Sequence, residues 1–160
     1  MIRPATLADV GTILRFVRDL AAFEREPDAV AATEDMLAEA LFGPHPAAEA
    51  VIAEDARGPL GFALFFHNFS TWTGRRGLYL EDLYVTPEAR GTGVGTALLR
   101  HLAALAVARV CGRFEWSVLD WNADAIAFYR AMGAVGQDEW TVQRVEGDPL
   151  LRLAAGEDRP

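Results

Sequence analysis

Leu78-Tyr79-Leu80-Glu81-Asp82-Leu83-Tyr84-Val85 and, shortly after it, Arg90-Gly91-Thr92-Gly93-Val94-Gly95 decide the fold of this chain. The first stretch is an apolar strand carrying two adjacent carboxylates. The second has glycine at alternate positions, an arginine at its entrance, and the helix opening Thr96-Ala97-Leu98-Leu99 behind it. Backbone N–H groups at a helix start, beside a cation, make an anion site, and phosphate is the anion that fits best. The run lacks Lys-Ser/Thr after its last glycine, so it is not a nucleoside-triphosphate P-loop. Its glycines stand at i, i+2 and i+4, whereas the dinucleotide fingerprint needs i, i+2 and i+5. Glu115 does follow about 20 residues on, but in mid-strand. A tight strand-to-helix turn that holds no ligand is the remaining alternative. Arg90 with the clean helix opening favours a pyrophosphate, where one charge-assisted contact is worth about 1.5–3 kcal/mol.

The bulk composition narrows the function classes. With 160 residues, 51% hydrophobic and 24% charged, the chain reads as one globular domain with ample core. A formal charge of −8 argues against nucleic acid, whose binders carry a basic stripe, and is compatible with a small cationic substrate. Cys111 is the only cysteine, so no disulfide framework and no cysteine-based zinc site is expected; between Val110 and Gly112 it reads as a small residue at a helix end. His45, His67 and His101 are scattered without ligand spacing, so no metal site is expected either. Neither a secretory leader nor an apolar run of about 18 residues is present, and the expectation is a soluble cytoplasmic protein with no membrane partner.

Outward from the opening stretch, the elements fall into place. Ile2-Arg3-Pro4 reads as a short strand, and Thr6-Leu7-Ala8-Asp9 as a capping box starting a helix to about Glu24. Ile13, Leu14, Val17, Leu20 and Ala21 form its core face. Thr33 caps a second helix through Leu41. Ala50–Ala53 and Leu60 to about Phe66 read as an antiparallel pair, followed by a loop over 68–77 that contains Trp72. Ala97–Arg109 is a helix, Phe114–Leu119 a strand, and Asp120-Trp121-Asn122 the cap of a helix over Ala123–Met132, stopped by Gly133. Strands near Trp140–Val145 and Leu150–Leu153 end the chain. This order implies one mixed sheet with helices on both faces and a single clear βαβ crossover.

Glu81 and Asp82 pose a local problem. A regular strand sends successive side chains to opposite faces, and this strand is apolar on both. Burying either carboxylate alone is costly, so pairing with a buried arginine or capping backbone amides is one solution. The other is a cleft in which Glu81 attracts a protonated amine, an attraction of ~4 kcal/mol at about 4 Å and an effective dielectric of about 20, before desolvation. Asn122 already has a capping role, and a helix tyrosine such as Tyr129 is ordinarily packed core; spacing alone does not make it catalytic.

The strand, the Arg90 turn and the segment from Asn122 to Gly133 together resemble the GNAT superfamily of N-acetyltransferases. Its phosphate signature, Arg/Gln-x-x-Gly-x-Gly/Ala, is matched by Arg90, Gly93 and Gly95. The likeness runs nearly end to end with the diamine (spermidine/spermine) and thialysine branch, through Ile2-Arg3-Pro4-Ala5-Thr6, Phe42-Gly43-Pro44-His45-Pro46, Thr71-Trp72-Thr73-Gly74-Arg75, Tyr79–Val85 and Leu119-Asp120-Trp121-Asn122. The resemblance implies a mixed α/β (α+β) fold, a single domain over residues 1–160. Its central sheet is twisted and mostly antiparallel, with about six to seven strands flanked by about four helices.

It also implies acetyl-CoA as donor and direct transfer to an amine in a ternary complex. Leu83, Tyr84 and Val85 would pair with the pantetheine arm like an added strand. Gly91, Thr92, Gly93, Val94, Gly95 and Thr96, with Arg90, would hold the pyrophosphate. Asn122 and Ala125 would lie along the cofactor, with Tyr129 facing its sulfur. A bulge in the Glu81 strand would relax the alternation problem. Glu81 would act as base through water, since an alkyl ammonium of pKa near 10.4 must lose a proton before attack. Tyr129 would stabilise the departing thiolate by hydrogen bonding, and a strand N–H near Leu83 the oxyanion.

The acceptor end departs from the family. Phe23-Glu24 aligns with a Tyr-Glu pair, so the hydroxyl is lost, and the segment after Gly133 is short although Glu139-Trp140 survives. The expected acceptor contacts are Phe23, Glu24, Trp72, Glu81, Asp82, Glu139 and Trp140, around a diamine, a polyamine or a lysine-like amino acid. For the last, Arg75 or Arg76 would meet the acceptor's carboxylate. A non-catalytic acyl-CoA-binding regulator and a protein or peptide N-acetyltransferase are the alternatives. A homodimer, with the C-terminal strands near its interface, is expected from the resemblance.

Overall fold

Ten elements follow one another in a computed structural model that describes residues 1–157. They are β1 (Ile2–Pro4), α1 (Val10–Phe23), α2 (Glu34–Phe42), β2 (Glu49–Asp55), β3 (Gly58–Ser70), β4 (Arg75–Val85), α3 (Val94–Ala108), β5 (Phe114–Trp116), α4 (Ala123–Ala131) and α5 (Gly147–Ala154). They divide into two compact units, Met1–Ser117 and the residues from Val118 onward. The first unit holds one sheet in the order β1-β2-β3-β4-β5, antiparallel throughout except for the parallel β4–β5 pair. This is the expected mixed, mostly antiparallel α/β architecture, with five strands instead of six or seven.

The sheet's register is set by a bulge. Leu64 pairs with Asp82, but Phe65 pairs with Leu80, so Glu81 is an extra residue in β4. Its effect is a switch of faces. Phe62 stacks on Phe16 of α1, so its partner Tyr84 lies on the α1 side, 5.3 Å from the same ring. Phe65 lies under Arg109 at the end of α3, so its partner Leu80 lies on the α3 side. Without the bulge, Leu78, Leu80, Asp82 and Tyr84 would share one face. With it, Leu78 and Leu80 enter the α3 layer, while Tyr84 joins the cluster of Ile13, Phe16, Leu41, Ala50, Ile52 and Phe62 under α1 and α2.

Local signals explain most boundaries. Thr33 Oγ1 accepts from the Met36 N–H at 3.2 Å and opens α2. The β3–β4 hairpin is longer than expected: strand runs to Ser70 and resumes at Arg75, leaving only Thr71-Trp72-Thr73-Gly74 as turn. His67, Asn68 and Ser70 are poor strand signals, yet Asn68 packs so tightly over Gly77 that a Cβ there would collide with its side chain. His67 Nδ1 donates to the Gly77 carbonyl at 2.9 Å. Arg109 joins it at 2.9 Å and forms a bidentate pair with Glu49, tying β2 and β3 to the end of α3. Cys111 sits just past that helix, half-buried, as a small residue.

Two expected strands are corrected in the second unit. Residues 141–146 form neither helix nor strand, and Leu150–Leu153 lies inside α5. Pro149 is tolerated in a first helical turn, Asp148 suits the N-terminal end and Arg152 the C-terminal end, and these override the strand-like leucine run.

The predicted capping box at Thr6 forms and carries more than a cap. Asp9 Oδ2 accepts from the Thr6 N–H at 2.7 Å and from its hydroxyl at 2.9 Å, through a short 3-10 turn (Leu7–Asp9) before α1. Arg3 then grips Asp9 through Nη1 at 2.7 Å and Nη2 at 2.8 Å, and reaches Glu54 at 2.9 and 3.0 Å. The Arg3 guanidinium, aided by the Thr6 donors, holds the Asp9 carboxyl well below the usual carboxylate range. That stabilisation is complete above the ordinary carboxylate pKa and is lost as pH falls below it. Asp9→Asn is therefore expected to cost about 1.5–3 kcal/mol at neutral pH and to flatten the acid limb of unfolding, read by urea denaturation at several pH values.

Candidate active site

The glycine turn is built for close approach. A 3-10 turn at Pro87–Ala89 leads from β4 to Arg90, and Gly91 and Gly93 take φ values of 76° and 91°, the left-handed region where glycine carries no Cβ penalty. A Cβ at either position would meet nothing within 4 Å, so conformation and not crowding selects glycine. Helix α3 starts at Val94, three residues earlier than expected, with Gly93 as its cap. Gly95 and Thr96 thus lie in the first helical turn, and the first internal bond there runs from Ala97 N–H to Gly93 C=O at 2.9 Å. The N–H groups of Val94, Gly95 and Thr96 have no intrahelical carbonyl to meet.

Strand β4 supplies a backbone edge beside that turn. Strand β5 pairs only with Leu78–Leu80, so residues 81–85 have a strand neighbour on the β3 side alone. Thr86 N–H donates to Leu60 at 2.9 Å toward β3, and the Tyr84 carbonyl lies against Gly61 on the same side. Alternation then turns the N–H and C=O of Leu83 and Val85 toward the free edge. Arg90 Nε takes the Val85 carbonyl there at 3.1 Å.

Three carboxylates converge in this unit. Glu81 is exposed on the bulge, Asp82 is half-buried on the α1 side, and Glu24 follows the last residue of α1. Desolvation, then the charges of Glu81 and Glu24, raise the Asp82 carboxyl from 3.8 to about 6. Desolvation also raises Glu24. The ion pairs of Arg3, Arg57 and Arg109 involve none of the three, and no arginine is among the charges acting on Asp82 or Glu24. The buried-arginine solution to the alternation problem is therefore not the one adopted at Asp82, whose charged neighbours are carboxylates.

Other expected acceptor residues are not gathered there. Trp72 lies in the hairpin turn, and Arg75 and Arg76 begin β4, so about 20 Å of strand separates Arg75 from Glu81. Arg76 acts on the charge of Glu49, on the α3 side of the sheet. Phe23 lies under Arg90, with the guanidinium carbon 5.1 Å from its ring centre, a contact between residues too distant in sequence for any spacing signal.

In the second unit, Asn122 Oδ1 caps α4 by accepting from the Ala125 N–H at 3.2 Å. Asn122, Ala125 and Tyr129 recur at helical spacing, which puts them on one face. Tyr129 is half-buried, its ring 5.4 Å from that of Phe128, and Gly133 ends the segment at φ 92°. Glu139 and Trp140 are exposed and lie outside helix and strand.

The acetyltransferase (GNAT) family matches residues 14–134. The chain belongs to this family of acetyltransferases. Thialysine N-epsilon-acetyltransferase of Sus scrofa is 38% identical over 165 residues, covering 96% of each chain. L-ornithine N5-acetyltransferase of Arabidopsis thaliana is 31% identical and covers 95% of this chain and 86% of the plant protein. Among solved structures, an integron cassette protein from the mobile metagenome of V. cholerae superposes with a TM-score of 0.80 at 29% identity, with 96% of each chain covered. As a GNAT acetyltransferase the protein is an acyl-transfer enzyme, and no helix among its described residues is long and apolar enough to cross a membrane.

The family's donor, acetyl-CoA, fits what this GNAT chain presents: positive-φ glycines with open space above them, unpaired helix-start amides, a cation and an outward strand edge. The Asp82 carboxyl has a pH signature of its own. Between the ordinary carboxylate range and about pH 6, the folded protein keeps a proton on Asp82 that the unfolded chain has lost. Stability therefore falls as pH rises through that window. Asp82→Asn is expected to flatten this fall and raise the melting temperature above about pH 6, in a thermal series from about pH 4.5 to about pH 8; an unchanged slope would count against the raised carboxyl.

Proposed function

We propose that this enzyme transfers the acetyl group of acetyl-CoA to a primary amine of a small cationic acceptor, by direct attack in a ternary complex. The observation that carries the reading is the presence, in one unit, of the glycine turn, the outward edge of β4 and the uncompensated trio Glu24, Glu81 and Asp82. Acetyl-CoA supplies the activated acyl thioester. Arg90 and the amides from Gly91 to Thr96 hold its pyrophosphate, and Leu83 to Val85 hold its pantetheine arm. The outward N–H of Leu83 is the donor for charge developing on the acyl oxygen. Glu24 and Asp82 hold the acceptor cation, and Glu81, exposed on the bulge, takes the amine's proton through water. Asn122 and Ala125 serve the cofactor, Tyr129 hydrogen-bonds the departing sulfur, and Glu139 and Trp140 serve the acceptor. The roles of these five residues rest on the residue-by-residue family match.

A lysine-like amino acid or a diamine or polyamine fits the acidic trio, and the relatives named for thialysine and ornithine support the first class. The proposal takes residues 1–160 as one catalytic domain, supported by a family match that runs through both units. It includes a homodimer acting in the cytoplasm; exposed Leu150, Leu151 and Leu153 on α5 support association, which light scattering tests.

The decisive measurement is acetyl-CoA consumption against lysine-like amino acids, diamines, polyamines and peptides. Turnover of small amines above peptides is expected. CoA binding without turnover of any primary amine would sink the catalytic reading in favour of a regulatory module. Glu81→Gln is expected to lower kcat by about 10²–10⁴-fold. Tyr129→Phe, losing one charge-assisted hydrogen bond, is expected to lower kcat by about ten- to hundredfold, while Asp82→Asn raises the acceptor KM.

A further inference from the structure

Arg90 is held on three sides. Its Nε donates to the Val85 carbonyl at 3.1 Å, and its guanidinium carbon lies 5.1 Å from the Phe23 ring centre and 5.8 Å from that of Tyr84. Tyr84 is itself fixed by Phe16, 5.3 Å away in the core. A guanidinium fixed at Nε and along its faces has lost most of its rotamer freedom, and its remaining donors are the two Nη groups. Among the described residues neither Nη has a hydrogen-bond partner.

We propose that Phe23 is a positioning residue of the donor site: with Tyr84, its ring holds the Arg90 guanidinium so that both Nη groups face the pyrophosphate. This reassigns Phe23 from the acceptor to the donor and rests on the reading of the Arg90 turn as the CoA site. It also accounts for phenylalanine at this position. Stacking on a guanidinium uses the ring face and needs no hydroxyl. The last residue of α1 thereby belongs to the donor grip, while Glu24 next to it belongs to the acidic trio.

The test compares dissociation constants for CoA and for pantetheine, which lacks the pyrophosphate, in the wild type, Phe23→Leu, Phe23→Tyr, Arg90→Gln and the Phe23→Leu/Arg90→Gln double variant. One exposed cation–π contact corresponds to about two- to fivefold in affinity. Phe23→Leu is expected to weaken CoA by that factor, to leave pantetheine binding and the acceptor KM at saturating acetyl-CoA unchanged, and to have no further effect in the Arg90→Gln background. Phe23→Tyr, which keeps the ring, is expected to bind CoA like the wild type. An unchanged CoA constant, an equal loss for pantetheine, or an undiminished loss in the Arg90→Gln background overturns the assignment. A wild type that binds no CoA overturns the donor-site reading itself.

Discussion

One extra residue in β4 governs the arrangement of this enzyme. An antiparallel ladder without the Glu81 bulge would put Asp82 and Tyr84 on the same side as Leu78 and Leu80, beneath α3. The bulge sends Asp82 and Tyr84 toward α1 and leaves Glu81 exposed between the two registers. It also falls where β5 stops pairing, just after Leu80, so the strand loses its second neighbour as it changes register. The free backbone edge and the carboxylates next to it are thus two results of the same local event.

Charge compensation separates the carboxylates of the first unit into two groups. Asp9 is gripped by Arg3 and Glu49 by Arg109, and in both cases the arginine favours the ionised form. Asp82 has the opposite surroundings, with desolvation and two like charges driving its carboxyl up. An uncompensated acidic cluster lowers the stability of the empty protein, and a bound cation restores it by mass action. Such a cost persists where a ligand offsets it, which is why the trio reads as an acceptor site and the paired carboxylates as scaffold.

Legibility in the sequence followed the range of the interactions. Caps at Thr6, Thr33 and Asn122 depend on residues three apart, and all three formed where their side chains pointed to them. The glycine turn was legible for the same reason, although Gly95 proved to be helix and not turn. The extension of the β3–β4 hairpin was hidden because His67, Asn68 and Ser70 gain their strand conformation from cross-strand partners, Gly77 above all. That extension carries Trp72 and Arg75 along the strand from Glu81, so the placement of part of the expected acceptor set depended on a register that spacing does not encode. The leucines of α5 failed as a strand because a short apolar run fits either period, and Asp148, Pro149 and Arg152 decided between them.

The departure from the family at Phe23 changes meaning once Arg90 is seen against its ring. Read along the chain, the missing hydroxyl belongs to the acceptor end and removes a polar contact from it. Read in space, the ring face is engaged by the cation at the entrance of the glycine turn. On that reading the acceptor side of the first unit is left with carboxylates, and the charges acting on Asp82 are those of Glu81 and Glu24. Charge, which is long-ranged and indifferent to the shape of what carries it, would be the main selector there. On the proposed reading, a site of that kind would tolerate several small polyvalent amines, whereas the proposed donor end, with its strand edge, Arg90 guanidinium and helix-start amides, would be specific to one ligand shape.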